Sequence, residues 1–124
     1  MRYTYTKAGF EQDVILRETP PSPADYGFDP ATARLEVWTE FLQPPEPVKT
    51  ASALKVESDP QVRQAMVDPD MTDETLDFGA MRIGAGNAFP LEGGAATIEQ
   101  TAVPVGKNWL RLDGRDFLDR KSVV

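Results

Sequence analysis

The sequence predicts an all-β fold: an antiparallel, sandwich-like domain of about seven or eight short strands, with one short helix and a C-terminal hairpin. Three observations favour this fold. Several segments alternate apolar and polar side chains with the period of a half-buried strand. Eleven prolines and nine glycines supply frequent turns, and Asp113-Gly114 separates two alternating segments near the end of the chain. We expect residues 1–124 to form a single β-rich domain, a module or fragment of a larger protein.

The chain begins with two strand patterns, at residues 2–6 and 10–17. Both alternate aromatic or aliphatic side chains with polar ones. Gly9 between them predicts either the turn of a hairpin or a bulge in one long bent strand. Prolines at residues 19–30 then predict an ordered loop, because proline cannot donate a ladder hydrogen bond.

Residues 34–42 form the clearest amphipathic strand pattern. One set of alternate side chains is largely apolar and comprises Leu35, Val37, Thr39 and Phe41. The opposite set comprises Arg34, Glu36, Trp38 and Glu40. Because one face of an antiparallel sheet usually packs on the core, we expect the first set to point inward and Trp38 to lie on the polar side.

A less regular stretch follows at residues 43–58, where aromatic residues are absent and prolines and small residues predict a surface connection. Residues 53–56 are a candidate short strand within it. Asp59 then offers an N-cap, followed by proline at the first helical position. This predicts a short helix around Val62 that ends before Pro69.

The next strand pattern, at residues 74–83, changes parity part of the way along, which predicts a β-bulge at Gly79. Glycines predict turns at residues 84–87 and 93–94. Residues 88–91 are a candidate short strand between these turns.

The end of the chain predicts a β-hairpin with Asp113-Gly114 as a type I′ turn. In that register the cross-strand pairs are Leu112 with Arg115, Arg111 with Asp116, Leu110 with Phe117, and Trp109 with Leu118. The last three pairs match in charge or apolar character, which stabilises paired strands. We therefore interpret Trp109 as a packing residue. The predicted core comprises Leu35, Val37, Phe41, Leu76, Phe78, Leu110 and Phe117.

Composition restricts the function. Twenty acidic and thirteen basic residues give a net charge of −7, which repels nucleic acid. Cysteine and histidine are absent, which excludes disulfides, thiolate metal sites and histidine-based triads. No stretch approaches the roughly 18 apolar residues of a membrane span, so we expect no membrane insertion and place any export signal outside this chain. We expect neither enzymatic activity nor a cofactor.

Two groups of acidic residues are candidates for metal binding or catalysis. Asp68, Asp70, Asp73 and Glu74 are oxygen ligands of the kind calcium prefers, although the glycine and distant glutamate of an EF-hand are missing. A solvated loop is the favoured interpretation, and a calcium-stabilised module stays open. Glu36 and Glu40 share one strand face, and a glycosidase uses a pair of carboxyl groups, but alternating charges on an exposed strand are common.

Aromatic residues suggest an alternative binding role. Trp38, Trp109 and Tyr26 are candidates for a carbohydrate-binding surface, since aromatic rings offer flat apolar faces with polar handles.

Three stretches resemble a known family: GFEQDVILRETPPSPADYGFDPATARLEVWTEF at residues 9–41, LDFGAMRIGAGNAF at 76–89 and VPVGKNWLRLDGRDFL at 103–118. They are similar to a segment of very large secreted bacterial polypeptides, RHS/YD-repeat-like multidomain proteins of planctomycete and verrucomicrobial type. The resemblance covers about half of the chain and carries no catalytic motif. It implies an extracellular or cell-surface β module beside other modules.

The sequence therefore predicts a noncatalytic structural or interaction module of a larger exported or cell-surface bacterial protein. Its expected partners are neighbouring modules of the parent polypeptide or another protein. A carbohydrate-binding module with a glycan partner is the alternative.

Overall fold

The computed structural model describes residues 1–7, 9–89 and 102–122. The chain divides into two compact units, Met1–Pro30 and Ala31–Val124. Strands dominate the described residues, and every strand pairing among them is antiparallel. The predicted all-β, sandwich-like class is confirmed.

The first unit contains a hairpin formed by β1 (Arg2–Thr6) and β2 (Gly9–Asp13). The hairpin alternative is thus confirmed over the long bent strand. The second strand ends at Asp13, four residues earlier than predicted. On this hairpin the rings of Tyr3 and Phe10 stack with centroids 5.5 Å apart.

A 3₁₀ turn at Pro23–Tyr26 orders the proline-rich loop. Ser22 caps it, because the Ser22 Oγ accepts a hydrogen bond from the Ala24 N–H at 3.3 Å. Gly27 ends the turn with a φ of 81°, which glycine adopts without strain.

The second unit contains a four-stranded sheet in the order β3-β9-β8-β7. Its strands are β3 (Glu36–Phe41), β7 (Gly86–Ala88), β8 (Val103–Leu112) and β9 (Arg115–Ser122). The β8–β9 hairpin has the four predicted cross-strand pairs. Asp113 and Gly114 have φ of 52° and 72°, as a type I′ turn requires.

A three-stranded sheet in the order β4-β5-β6 completes this unit. Its strands are β4 (Val48–Val56), β5 (Asp70–Asp77) and β6 (Arg82–Ile83). The predicted surface connection is therefore wrong at residues 48–52, and the candidate short strand at residues 53–56 is confirmed as the second part of β4. Small residues and the lack of an apolar alternation left residues 48–52 without a strand pattern. The strand forms by pairing with β5.

The parity change around Gly79 is a chain reversal, so the predicted β-bulge is wrong. The Phe78 N–H donates to the Met81 carbonyl at 2.8 Å, and Gly79 has a φ of 88°. The chain then returns as β6, which pairs Ile83 with Leu76. A reversal and a bulge both shift the apolar parity, which is why the pattern did not separate them.

The predicted helix is confirmed as α1 (Pro60–Ala65). Asp59 caps it, since its Oδ1 accepts hydrogen bonds from the N–H groups of Gln61 at 2.9 Å and Val62 at 3.4 Å. Throughout the described residues, no helix has the length and apolar character that a membrane crossing requires. The candidate strand at residues 88–91 falls partly outside the described residues, and the turn at 93–94 falls wholly outside them.

The core lies on one face of the four-stranded sheet, which we call the inner face. Buried Leu76, Trp109 and Leu118 form its centre, and the residues packed around them are Phe41, Phe78 and Ile83. Of the predicted core, Leu76 is fully buried, while Phe41 and Phe78 pack against it.

The other four residues of the predicted core need correction or qualification. The prediction that Leu35 belongs to the core is wrong, because Leu35 precedes β3 and is 44% exposed. Leu110 and Phe117 are half-buried but lie on the opposite face from Trp109 and Leu118. Val37 shares the inner face and is half-buried.

Candidate functional site: the outer face and its cavity

The face of the four-stranded sheet opposite the core is the outer face. Residues paired across antiparallel strands share a face, so the register defines its members: Glu36, Trp38 and Glu40 from β3, Arg115, Phe117, Asp119 and Lys121 from β9, and Asn108, Leu110 and Leu112 from β8. This face combines apolar side chains with five ionisable groups.

Trp38 is the most prominent aromatic side chain of the outer face and is 45% exposed. Its ring packs on Phe117 with centroids 5.5 Å apart and planes tilted by 51°. Its Nε1 donates to the Glu36 Oε2 at 3.1 Å, which orients the indole. The result is a supported aromatic surface that is open to solvent.

An ion pair borders this aromatic surface at one end. The Arg115 guanidinium donates to both carboxylate oxygens of Glu40 at 2.7 Å, and its central carbon lies 5.2 Å from the Phe117 ring centroid. The side-chain hydrogen bond from Arg115 lowers the pKa of Glu40, which outweighs the opposing effect of desolvation. Glu40 therefore stays ionised near neutral pH and is a poor general acid.

A single ammonium holds three carboxylates at the other end. The Lys121 Nζ lies 2.7 Å from Asp68, 3.3 Å from Asp119 and 3.5 Å from Glu36. Burial acts to lower the pKa of Lys121, but the hydrogen bond to Asp68 and the surrounding negative charges raise it overall. Lys121 is thus a fixed positive charge within an acidic environment.

Asp119 is the buried acid of this group, with only 1% of its surface exposed. Its Oδ1 is buried and has no hydrogen-bond partner among the described residues. Desolvation raises the pKa of Asp119, the charge of Glu36 adds to this effect, and Lys121 opposes it.

A cavity of about 220 Å³ adjoins the outer face. Asn108, Leu110 and Lys121 line it from the sheet. The remaining lining residues are Trp109 and, from the acidic stretch, Asp68, Asp70, Met71, Thr72 and Glu74. The Asn108 Nδ2 donates to the Thr72 Oγ1 at 3.1 Å, which ties the two sides together. The cavity thus presents carboxylates, an amide and an ammonium beside apolar carbon.

The acidic stretch at residues 68–74 is not the predicted solvated loop, because residues 70–74 belong to β5 and the carboxylates of the stretch have partners. Asp68 pairs with Lys121, Asp70 with Arg63, Asp73 with Lys107, and Glu74 accepts a hydrogen bond from the Trp109 N–H. Among the described residues, no three acidic side chains are grouped to hold a metal ion. The calcium hypothesis therefore loses its ligand set.

Asp73 and Glu74 instead complete the hydrogen bonding of a strand edge. β7 pairs with β8 at Val103, Pro104 and Val105. Farther along β8, the Lys107 N–H donates to the Asp73 Oδ1 at 3.1 Å and the Trp109 N–H donates to the Glu74 Oε2 at 2.6 Å. Carboxylates of β5 therefore take the place of backbone carbonyls along this edge.

The three aromatic candidates occupy different environments. Trp38 lies on the outer face, whereas Trp109 is on the inner face and 7% exposed. Trp109 makes edge-to-face contacts with Phe41 at 5.1 Å and Phe78 at 5.5 Å, which confirms its packing role. Tyr26 is exposed in the first unit.

The structure adds site residues that sequence reasoning missed. Phe117 packs against Trp38 instead of filling the core. Arg115 lies over the Phe117 ring, and Asn108 and Lys121 line the cavity. The predicted hairpin register already put Phe117 and Asn108 on one face of β8–β9. The pairing of β3 with β9, which brings Trp38 to that face, had no signal in the sequence.

Comparisons with protein-family models, curated proteins and solved structures found no match for this chain.

Proposed function

We propose that this chain is a noncatalytic interaction module of a larger exported or cell-surface bacterial protein, and that it contacts neighbouring modules or another protein through the outer face. The observation that carries the proposal is the 45% exposed Trp38 packed on Phe117. Protein–protein interfaces typically have aromatic side chains at the centre and charged side chains at the rim, and this surface has the same arrangement. The exported location rests on the family resemblance of residues 9–41, 76–89 and 103–118.

The state of the carboxylates supports a noncatalytic role. Glu36 and Glu40 share the outer face, but Glu40 is held in a bidentate ion pair and Glu36 contacts Lys121 and the Trp38 indole. General acid catalysis needs a carboxyl group that is protonated near the working pH. The lowered pKa of Glu40 works against that role.

Site-specific photo-crosslinking tests this proposal. A benzophenone amino acid is placed at Leu112, an exposed outer-face position, in cells that make the protein, and at fully exposed Val67 as the matched control. We expect one discrete polypeptide adduct, or a link to a neighbouring module, from position 112 alone. The adduct should disappear when Trp38→Ala is added. Equal labelling from both positions, or no adduct from either, contradicts the proposal.

Carbohydrate binding is the second candidate, because the cavity places the Asn108 amide and several carboxylates on or beside the face that carries Trp38. Sugar rings stack on aromatic side chains while amides and carboxylates bind their hydroxyl groups. A glycan array with the purified chain, with Trp38→Ala and with Tyr26→Ala separates the candidates. Reproducible binding that Trp38→Ala abolishes in a folded protein favours the glycan. No binding to any glycan favours the protein partner.

A further inference from the structure

Strand β4 is a long, solvent-exposed sheet edge. Each of its nine residues, Val48–Val56, is exposed. β4 pairs with β5 on one side, and none of the described residues pairs with its other side. With respect to the described residues, a row of backbone N–H and C=O groups is therefore open to another extended chain, which natural sheets usually prevent.

The side chains of β4 have one sign of charge. Lys49 and Lys55 are the ionic residues of the strand, in a chain with a net charge of −7. The rest of the strand is small or apolar and includes exposed Val48, Leu54 and Val56. This edge is therefore a basic strip on an acidic protein, and it suits a chain of opposite charge.

A second copy of β4 does not fit this edge. A second copy would bring two more lysines, Lys49 and Lys55, and no acidic side chain to the paired edge, so its charges would repel those already there. The irregularity between Ala53 and Lys55 further limits the regular edge to residues 48–53.

The other acidic edge of the molecule does not fit either. β3 is also an edge strand and carries Glu36 and Glu40. However, these two carboxylates already have cationic partners, Lys121 for Glu36 and Arg115 for Glu40. A second copy therefore offers no free acidic strand to β4.

We propose that β4 binds an extended acidic segment of a partner polypeptide by strand addition. Backbone hydrogen bonds extend the β4-β5-β6 sheet, and a carboxylate of the segment meets Lys49 within the regular part of the edge. Lys55, beyond the irregularity, contributes less, and it already lies 3.7 Å from Glu57. The proposal rests on the interaction role proposed above but uses a different surface from the outer face.

Titration with designed peptides tests the proposal. The probe is a nine-residue peptide of alternating valine and threonine with two glutamates placed to oppose Lys49 and Lys55. Two matched probes carry lysines instead of the glutamates, or a central proline that prevents strand pairing. Binding to the full chain is followed by amide chemical shifts and by hydrogen exchange of β4.

We expect the acidic peptide to protect β4 amides and the other two peptides to bind at least about tenfold more weakly. Lys49→Glu should reverse the preference between acidic and basic peptides, and 0.5 M salt should weaken binding. Trp38→Ala should leave peptide binding unchanged, so a failed crosslink at Leu112 and a failed peptide titration are separate results. Equal binding of all three peptides, no binding, or a concentration-dependent dimer that Lys49→Glu dissociates would each overturn the proposal.

Discussion

The two faces of the four-stranded sheet carry one tryptophan each and differ in what covers them. On the inner face, Trp109 lies between Phe41 and Phe78 and beside fully buried Leu76. On the outer face, Trp38 rests on Phe117 and is 45% exposed. The same hairpin supplies apolar pairs to both faces of the sheet. The hydrophobicity of the hairpin therefore does not decide which face is buried, and the β5 and β6 residues that pack on the inner face do.

The lysines of the two faces also differ in their ionic partners. Lys107 lies on the inner side with its ammonium buried against Asp73. On the outer face, Lys121 is shared by three carboxylates. A buried one-to-one pair depends strongly on both partners. A shared ammonium leaves excess negative charge, and the charge of Glu36 adds to desolvation in raising the pKa of Asp119.

The largest expected difference between the faces comes from truncating the two tryptophans. Trp109→Ala should lower the free energy of unfolding by about 3–5 kcal/mol, because it opens a cavity among Phe41, Phe78 and Leu76. Trp38→Ala should cost less than about 1 kcal/mol, because its indole already contacts water. Urea unfolding measures both. If Trp109→Ala does not fold, Trp109→Phe should still lose more stability than Trp38→Phe, and equal losses contradict the assignment of the faces.

Breaking the buried ion pair should have the next largest effect. Lys107→Met leaves the Asp73 carboxylate buried without its ammonium and should cost about 3 kcal/mol. Lys55→Met is the matched control, because it removes an exposed ammonium from Glu57 at 3.7 Å and should cost less than about 0.5 kcal/mol. Denaturant midpoints at constant m-value check this. Similar costs for the two variants would show that burial of the Lys107 pair is not energetically important.

The close approach of β8 to β5 predicts an intermediate effect. A Cβ added at Gly106 would lie 2.8 Å from the Thr72 carbonyl oxygen and 2.9 Å from the Met71 methyl carbon. Gly106→Ala should therefore cost about 1–3 kcal/mol through overpacking. Gly86→Ala in β7 is the control, since nothing lies within 4 Å of its added Cβ. Thermal unfolding of both variants tests whether the two strands approach as closely as described.

The smallest expected effect depends on pH and lies on the outer face. The pKa of Asp119 is raised in the folded chain above its ordinary value of 3.8. The native state therefore holds this proton longer than the unfolded state, and ionisation costs stability as pH rises from about 4 through the raised native pKa. Asp119→Asn abolishes this titration, so the stability of this variant relative to the unmodified chain should rise as pH rises from about 4 toward neutrality.

Glu40→Gln is the opposite control for that titration. The pKa of Glu40 is lowered from 4.5, so its ionised form contributes stability above that pH and loses it as pH falls through the native pKa. Relative to the unmodified chain, Glu40→Gln should therefore become less stable as pH rises. Stability curves from pH 3 to 8 distinguish the two trends, and parallel trends in both variants would contradict the assigned shifts.

Local signals in the sequence were enough for several elements. Asp113-Gly114 and the matched pairs beside it predicted the hairpin register, because a two-residue turn sets the pairing of its own strands. Asp59 and Pro60 predicted the start of α1 in the same way. Only the second part of β4, at residues 53–56, was a candidate strand. The first part, at residues 48–52, was missed because its small side chains have no periodic pattern, and it is stabilised by pairing with β5.

The candidate site was predictable only in part. Trp38 was expected on the polar side of its strand, and it is exposed there. Phe117 was assigned to the core because the hairpin has apolar side chains on both of its faces. Such a sequence does not indicate which face other strands cover. The acidic stretch looked solvated because Lys107, the partner of Asp73, lies 34 residues away along the chain.

The sequence by itself determined the β class, the C-terminal hairpin and the short helix, because turns, caps and cross-strand pairs act over a few residues. Only the tertiary structure decided which face of the hairpin became the core, that the strand of residues 53–56 begins at Val48, and that Asp73 pairs with buried Lys107. These outcomes depend on contacts between segments far apart in sequence, which no local pattern encodes.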